Sequence, residues 1–333
     1  MHILLTGAGG FIARRIALDL LEAGHSVRGS LRDPAAQERP LREALRAHLT
    51  GAAALDRLEI VRLDLSSDEG WSEAARGTDA ILHVASPFPL EQTGDPEAVV
   101  RPAVDGTLRA LRAAVAEGVG RLVLTSSTVA VMNGPDPEGR ERDERDWSAE
   151  GHPNYNAYVR SKTEAERAAW DFVRSEGRSI ALTAVNPGFV LGPPLGEERN
   201  TSLVVIERVL AGKDPMVPPI GFETVDVRDV SRAHIAALER PETAGKRYVT
   251  AAGFLWFREI ARMAAEETGR PVDKREAPKL LMRALALFDP ALKGIVPIMG
   301  RQDKVSNARA REELGIDFIP AEEAARAAIR ALA

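Results

Sequence analysis

The chain opens on His2-Ile3-Leu4-Leu5, a short apolar run, and passes directly into Thr6-Gly7-Ala8-Gly9-Gly10-Phe11-Ile12-Ala13. No other segment restricts the fold so tightly. A short apolar run of this kind predicts a strand buried on both faces, as in a parallel sheet. The next dozen residues read as an amphipathic helix: Ile12, Ile16 and Leu20 form one stripe, Ala13, Ala17 and Leu21 flank it, and Gly24 marks its end. The glycines therefore sit where a strand turns into a helix. There they let the backbone approach a bound group, while the unpaired N–H groups and dipole of the helix start attract negative charge. An ordinary tight turn has the same glycines, but the flanking strand and helix favour a dinucleotide pyrophosphate cradle.

The same alternation continues along the chain. Strand-like runs at 2–6, 26–31, 58–63, 80–84, 121–126 and 179–185 are separated by helical segments, the pattern of an α/β doubly wound parallel sheet with helices on both faces. Ligands of such a sheet bind beyond the carboxyl ends of its strands. The second run ends in Arg32-Asp33-Pro34, at the place that reads the adenosine ribose: an acid accepts from a free 2'-hydroxyl, an arginine accommodates a 2'-phosphate. Arg32, with Arg39 in the following segment, favours NADP, whereas Asp33, one residue on, would present a carboxylate and favour NAD.

A predicted helix from about 156 to 176 stacks Tyr158 and Lys162 on one face. A phenol ionises near ~10, and a neighbouring ammonium favours its ionised form, bringing proton exchange toward working pH. Of the three tyrosines, Tyr155, Tyr158 and Tyr248, Tyr158 alone has a lysine four residues on; Tyr155 has Val159 there. Solvated surface pairs share this spacing, so it is the N-terminal cradle that favours an acid–base device.

With these two motifs and Arg121-Leu-Val-Leu-Thr125-Ser126-Ser127-Thr128, the chain resembles the extended short-chain dehydrogenase/reductases. It is most similar to their dihydroflavonol reductase and cinnamoyl-CoA reductase branch and its bacterial aldehyde-reductase relatives. Further matching segments are Ile81-Leu-His-Val-Ala85-Ser86-Pro87, Asn186-Pro-Gly-Phe-Val-Leu-Gly192-Pro193 and Val225-Asp-Val-Arg-Asp-Val230. The resemblance runs from residue 1 to about 318 and thins after 255. It implies a Rossmann domain of residues 1–187 plus about 222–252, and a smaller substrate-binding region of about 188–221 plus 253–333. It implies that Ser127 polarises a substrate carbonyl, Tyr158 protonates it, and Lys162 binds the nicotinamide ribose and lowers the Tyr158 pKa. Thr128, beside Ser127, is the alternative source of that hydroxyl. Gly7, Gly10, Phe11 and Ile12 would line the pyrophosphate, Arg32 and Arg39 the 2'-phosphate, Asp64 and Leu65 the adenine, and Ala85, Ser86, Pro187 and Val190 the nicotinamide end. The Asn-Trp-Tyr-Cys-Tyr signature of plant cinnamoyl-CoA reductases is replaced by Asn154-Tyr-Asn-Ala-Tyr158, which argues against a CoA thioester substrate.

Composition narrows the classes. At 333 residues with 44% hydrophobic content the chain buries a large core, and a net charge of -5 offers no basic field for nucleic acid. Cysteine is absent, so thiolate chemistry and disulfides are excluded. The six histidines show no metal-ligand spacing, no Gly-x-Ser-x-Gly elbow occurs, and no apolar run approaches the ~20 residues of a membrane span. His83 reads as a packed strand histidine. The expectation is a cytoplasmic monomer or homodimer, without a cleavable signal, acting on a small-molecule carbonyl with no metal. The run from Arg140 to Asp146 reads as a solvated loop. Phe88, Pro89, Met132, Phe189, Leu195, Val205, Met216, Val217, Phe222 and Phe254 are candidates for the substrate wall, suited to a hydrophobic or aryl, dihydroflavonol-like carbonyl. Two other readings share the fold: a nucleotide-sugar epimerase or dehydratase with tightly held NAD, and a non-catalytic dinucleotide sensor. Arg32 stands against the first, and Ser127 with the Tyr–Lys pair against the second.

Overall fold

The computed structural model describes residues 1–87, 95–197, 200–212, 216–270, 275–288 and 290–333. Its strands are β1 (His2–Thr6), β2 (Ser26–Leu31), β3 (Leu58–Arg62), β4 (Ala80–His83), β5 (Arg121–Thr125), β6 (Ala181–Pro187), β7 (Phe189–Leu191), β8 (Gly221–Asp226), β9 (Arg247–Thr250) and β10 (Gly253–Trp256). The helices are α1 (Phe11–Glu22), α2 (Pro34–His48), α3 (Trp71–Ala75), α4 (Glu97–Glu117), α5 (Val129–Met132), α6 (Ala157–Ser175), α7 (Thr201–Ala211), α8 (Val227–Glu239), α9 (Phe257–Thr268), α10 (Lys279–Leu285), α11 (Pro290–Ile295), α12 (Ala308–Leu314) and α13 (Ala321–Leu332).

Seven strands form one parallel sheet in the order β3-β2-β1-β4-β5-β6-β9. The alternation of β1 shows why Ile3, Leu4 and Leu5 are all apolar: Ile3 and Leu5 enter one core layer with Ile16, Leu20 and Val230, while Leu4 enters the opposite layer with Ile81, Leu111 and Phe172. α1 and α8 thus cover one face of the sheet, and α4 and α6 the other. The order reverses between β1 and β4, which opens a crevice at their carboxyl ends.

After Pro187 the chain leaves this sheet. Gly188 permits the departure, because a Cβ there would lie 2.2 Å from the Glu223 carbonyl oxygen. Beyond it stands a second sheet, β10-β8-β7. The segment 222–252 is divided: β8 belongs to the second sheet, whereas α8 packs on α1 and β9 pairs with β6. No helix among the described residues is long and apolar enough to cross a membrane.

The Arg140–Asp146 run departs from the expected solvated loop, since Arg142 and Glu144 are buried within it. Arg142 donates to the carbonyls of Gly134 (3.0 Å) and Pro135 (2.6 Å), and Glu144 accepts from the Val249 amide (3.0 Å). Charge content alone does not distinguish such alternately buried residues from a solvated loop, because burial is set by how the chain packs around them.

Candidate active site

At the end of β1 the chain turns through Gly7, whose φ of +69° suits glycine. A Cβ there would meet the Ala85 Cα and Cβ at 3.0 Å. Thr6 fixes that approach: its Oγ1 accepts from the amides of Val84 and Ala85, both at 3.0 Å, and pairs with His83 Nδ1 at 3.0 Å. On the other side, the Gly7 amide donates to Ser30 Oγ (3.0 Å) at the end of β2. The loop is therefore tied to both neighbouring strands. α1 then starts at Gly10, which gives no side-chain cap, and no acid stands in its first turn. Gly7, Gly10, Phe11 and Ile12 make up this turn and helix start, and an uncapped helix start beside glycine backbone fits a pyrophosphate.

The residues expected at the adenosine end follow β2 and β3. Arg32 is exposed and lies close enough to help hold the Asp64 carboxyl below its ordinary range, though the Ser66 hydroxyl and amide do more. Leu65 packs over Gly106 of α4, where a Cβ would meet it at 2.9 Å. Asp33 is engaged elsewhere, because its carboxylate accepts from the Ala36 amide (3.3 Å) as the N-cap of α2. The carboxylate that would favour NAD is thus used by the helix. Arg39 lies on an exposed face of α2 and pairs with Glu43 at 3.1 Å. These groups fit NADP: Arg32 would meet a 2'-phosphate beside the cradle.

The chemical end gathers residues from β4, β5, β6 and α6. α6 is started by Asn156, whose side chain accepts from the Val159 amide (3.0 Å). Its first two turns carry Tyr158 and Lys162. The Tyr158 phenol shares a hydrogen bond with the Ser127 side chain, so the hydroxyl brought to it is that of Ser127. The Thr128 amide instead donates to the Pro187 carbonyl (2.9 Å), which also accepts weakly from Ser127 Oγ at 3.4 Å. Ala85 and Ser86 follow β4, and Val190 is buried in β7 just beyond Pro187.

The electrostatics differ from the sequence expectation in one respect. Burial pushes the Tyr158 phenol up, and the Ser127 hydrogen bond only partly offsets it. Burial instead lowers Lys162 to about 8, against the raising influence of Glu166. His83 is buried and pushed down to about 3 by desolvation and by Lys162, so it stays neutral near pH 7, in keeping with a packed strand histidine.

Sequence reasoning missed Glu166. It stands four residues beyond Lys162, so the same helical spacing that singles out the Tyr–Lys pair extends to it. Of the proposed substrate wall, Phe189 stacks on Phe222 at 4.6 Å, and Phe222 meets Phe257 edge-on at 6.2 Å. Leu195 and Val217 are core residues, and Phe88 and Pro89 lie outside the described residues.

Comparison with known proteins gives consistent matches. Residues 3–251 match the NAD dependent epimerase/dehydratase family. Cinnamoyl-CoA reductase 1 of Petunia hybrida is 39% identical over 260 residues, covering 76% of this chain and 73% of the relative. Yeast methylglyoxal/isovaleraldehyde reductase Gre2, solved with NADPH, superimposes with a TM-score of 0.77 at 25% identity, covering 100% of this chain and 98% of that one. Vestitone reductase from alfalfa (Medicago sativa L.) gives 0.74 at 26% identity, covering 99% and 97%.

Proposed function

The chain belongs to the NAD dependent epimerase/dehydratase family, the extended short-chain dehydrogenase/reductases, and on that premise we propose the carbonyl chemistry of an NADPH-dependent reductase with Tyr158 as proton donor. It is an NADP-dependent oxidoreductase reducing carbonyl groups, as its reductase relatives indicate. Its substrate in this reading is a small hydrophobic or aryl ketone or aldehyde, with a dihydroflavonol-like compound included. The observation that carries the reading is the Ser127–Tyr158 hydrogen bond, with Lys162 one turn along the same helix.

When bound, the nicotinamide supplies a hydride to the carbonyl carbon. Ser127 and Tyr158 then both donate toward the carbonyl oxygen, so negative charge developing there meets two hydroxyl groups held by β5 and α6. Tyr158 gives up its proton as the alkoxide forms. Its raised pKa in the protein alone keeps the proton on the phenol until then. Lys162, cationic below about pH 8, stabilises the phenolate left behind and holds the nicotinamide ribose. Ala85, Ser86, Pro187 and Val190 flank the nicotinamide in this reading. Residues about 188–221 plus 253–333 cover the substrate, with Phe189, stacked on Phe222 of β8, supplying an aromatic wall suited to an aryl group. The Asn154-Tyr-Asn-Ala-Tyr158 stretch favours a free aldehyde or ketone over a CoA thioester.

The test is titration of the purified protein with NADPH and NADH, followed by NADPH oxidation against aryl aldehydes, ketones and a dihydroflavonol. Preferential NADPH binding with turnover of a carbonyl is expected. Tight copurified NAD with no net oxidation would favour an epimerase or dehydratase instead.

A further inference from the structure

Behind the Tyr–Lys pair lies a buried carboxylate that takes no part in the hydride and proton transfers. Tyr158, Lys162 and Glu166 recur every four residues of α6, so they share one face. Glu166 is 0% exposed. Its Oε2 accepts from Ser126 Oγ (2.6 Å), Asn186 Nδ2 (2.8 Å) and Arg247 Nη2 (3.2 Å). Its Oε1 accepts from Arg247 Nε (2.6 Å) and Trp170 Nε1 (3.2 Å).

The donors stand beside the reacting groups. Ser126 immediately precedes Ser127, and Asn186 precedes Pro187 while also donating to the Ser127 carbonyl (3.2 Å). Arg247, from β9, is itself buried; its Nη1 donates to the carbonyls of Glu144 (3.0 Å) and Asp146 (2.7 Å), and its guanidinium lies 3.7 Å from the centre of the Trp147 ring. One carboxylate therefore joins the strand end bearing Ser127, the strand end bearing Pro187 and the helix bearing the acid–base pair.

We propose that Glu166 is a positioning residue for the reduction, locking Ser127 against the Tyr158–Lys162 helix and setting its carboxylate one helical turn from Lys162. The proposal rests on the reductase reading. A bystander ion pair between helix and sheet would need only Arg247; the bonds to Ser126 and Asn186 instead direct the carboxylate at the two segments that flank the reacting groups. Among the described residues, the titratable and charged groups around Lys162 are few. On its own helix stand Tyr158 and Glu166. His83 faces it from β4 and is uncharged near neutrality, and Arg247 from β9 lies beyond Glu166. α4 meets this helix through the Glu97–Arg160 pair, 2.8 Å apart.

Removing the negative charge lowers the proton affinity of Lys162, so its ammonium is lost at lower pH. Reduction needs that ammonium, and the alkaline fall of kcat must move in the same direction.

The experiment measures kcat against pH at saturating NADPH for the parent, Glu166→Gln and Glu166→Gln/Arg247→Met, with circular dichroism and thermal midpoints alongside. The double variant guards against misfolding of the single one, because removing both charges avoids leaving Arg247 buried without its carboxylate. The expected result is a loss of kcat of about tenfold or more in Glu166→Gln, part of the roughly 10²–10⁴-fold that an aligned acid–base group supplies, because the acid–base pair stays but its alignment is loosened. Its alkaline limb moves to lower pH, and that of the double variant lies between it and the parent. A folded variant of either kind with the parent's kcat and alkaline limb overturns the proposal. So does activity that merely follows the thermal midpoint and returns fully in the double variant. Tyr158→Phe, run in parallel, separates the two levels: retained turnover there sinks the reductase mechanism, whereas its loss with an unaffected Glu166→Gln sinks only the role of Glu166.

Discussion

Replacing Arg32 with alanine should convert an NADPH-selective protein into one that barely distinguishes the two nicotinamide cofactors. Arg32 is exposed at the end of β2, with Asp64 nearby at the end of β3. A guanidinium about 4 Å from one phosphate charge gains roughly 1 kcal/mol at the dielectric of water and roughly 4 kcal/mol at an effective value of 20. An exposed site lies toward the lower end, while the second phosphate charge and the forked geometry raise the figure, giving about 2–3 kcal/mol. That is on the order of 30- to 150-fold in the NADPH dissociation constant. NADH has no 2'-phosphate and should shift by less than about twofold. Titration by quenching of protein fluorescence, at two salt concentrations, measures both, and the NADPH loss should shrink as salt rises. Equal losses for NADPH and NADH would refute the placement of the 2'-phosphate. Arg39→Ala should cost less, because that side chain is held by Glu43 on an exposed face of α2. A larger loss from Arg39→Ala would exchange the roles of the two arginines.

Other substitutions test separate parts of the same architecture. Gly7→Ala forces a side chain into the left-handed region and within 3.0 Å of Ala85, and should lower stability to denaturant by about 2–3 kcal/mol while weakening NADPH and NADH alike. Ser127→Ala should reduce kcat on the order of 100-fold or more with little change in NADPH affinity, whereas Thr128→Ala should leave most of the activity; the reverse ranking would move the reacting hydroxyl by one residue. Asp33→Ala removes the cap of α2 and should cost roughly 1 kcal/mol in stability without raising NADH affinity. His234, buried between Thr125 and the Val230 carbonyl, is lowered from 6.5 to about 4, so its stabilising contribution is complete above pH 6.5 and is lost as pH falls toward 4. Between pH 7 and 5 the parent should therefore lose about 2 kcal/mol more than His234→Gln, read from urea midpoints at the two pH values; parallel losses would contradict a neutral buried imidazole.

Much of the nucleotide-binding fold was legible in the chain because it is encoded locally. The apolar run at residues 2–5, the glycines after it and the stripe of Ile16 and Leu20 each depend on neighbours a few residues away, and β1, its loop and α1 lie where those patterns put them. The Tyr158–Lys162 spacing was equally visible, since an α-helix turns i and i+4 onto one face whatever surrounds it. The tertiary structure decided how these pieces meet. It set Asp33 on a helix cap, leaving Arg32 beside Asp64, and it placed the Ser127 hydroxyl on the Tyr158 phenol. It also set the Tyr158 phenol above its ordinary value rather than below it, because burial depends on the enclosing fold and outweighs the Ser127 hydrogen bond. Above all it turned Glu166 from one more acid on a helix into the junction of α6, β5, β6 and β9. Sequence periodicity says which residues share a face, but only the packed sheet brings Ser126, Asn186 and Arg247 to a single carboxylate, because those contacts close over long stretches of chain.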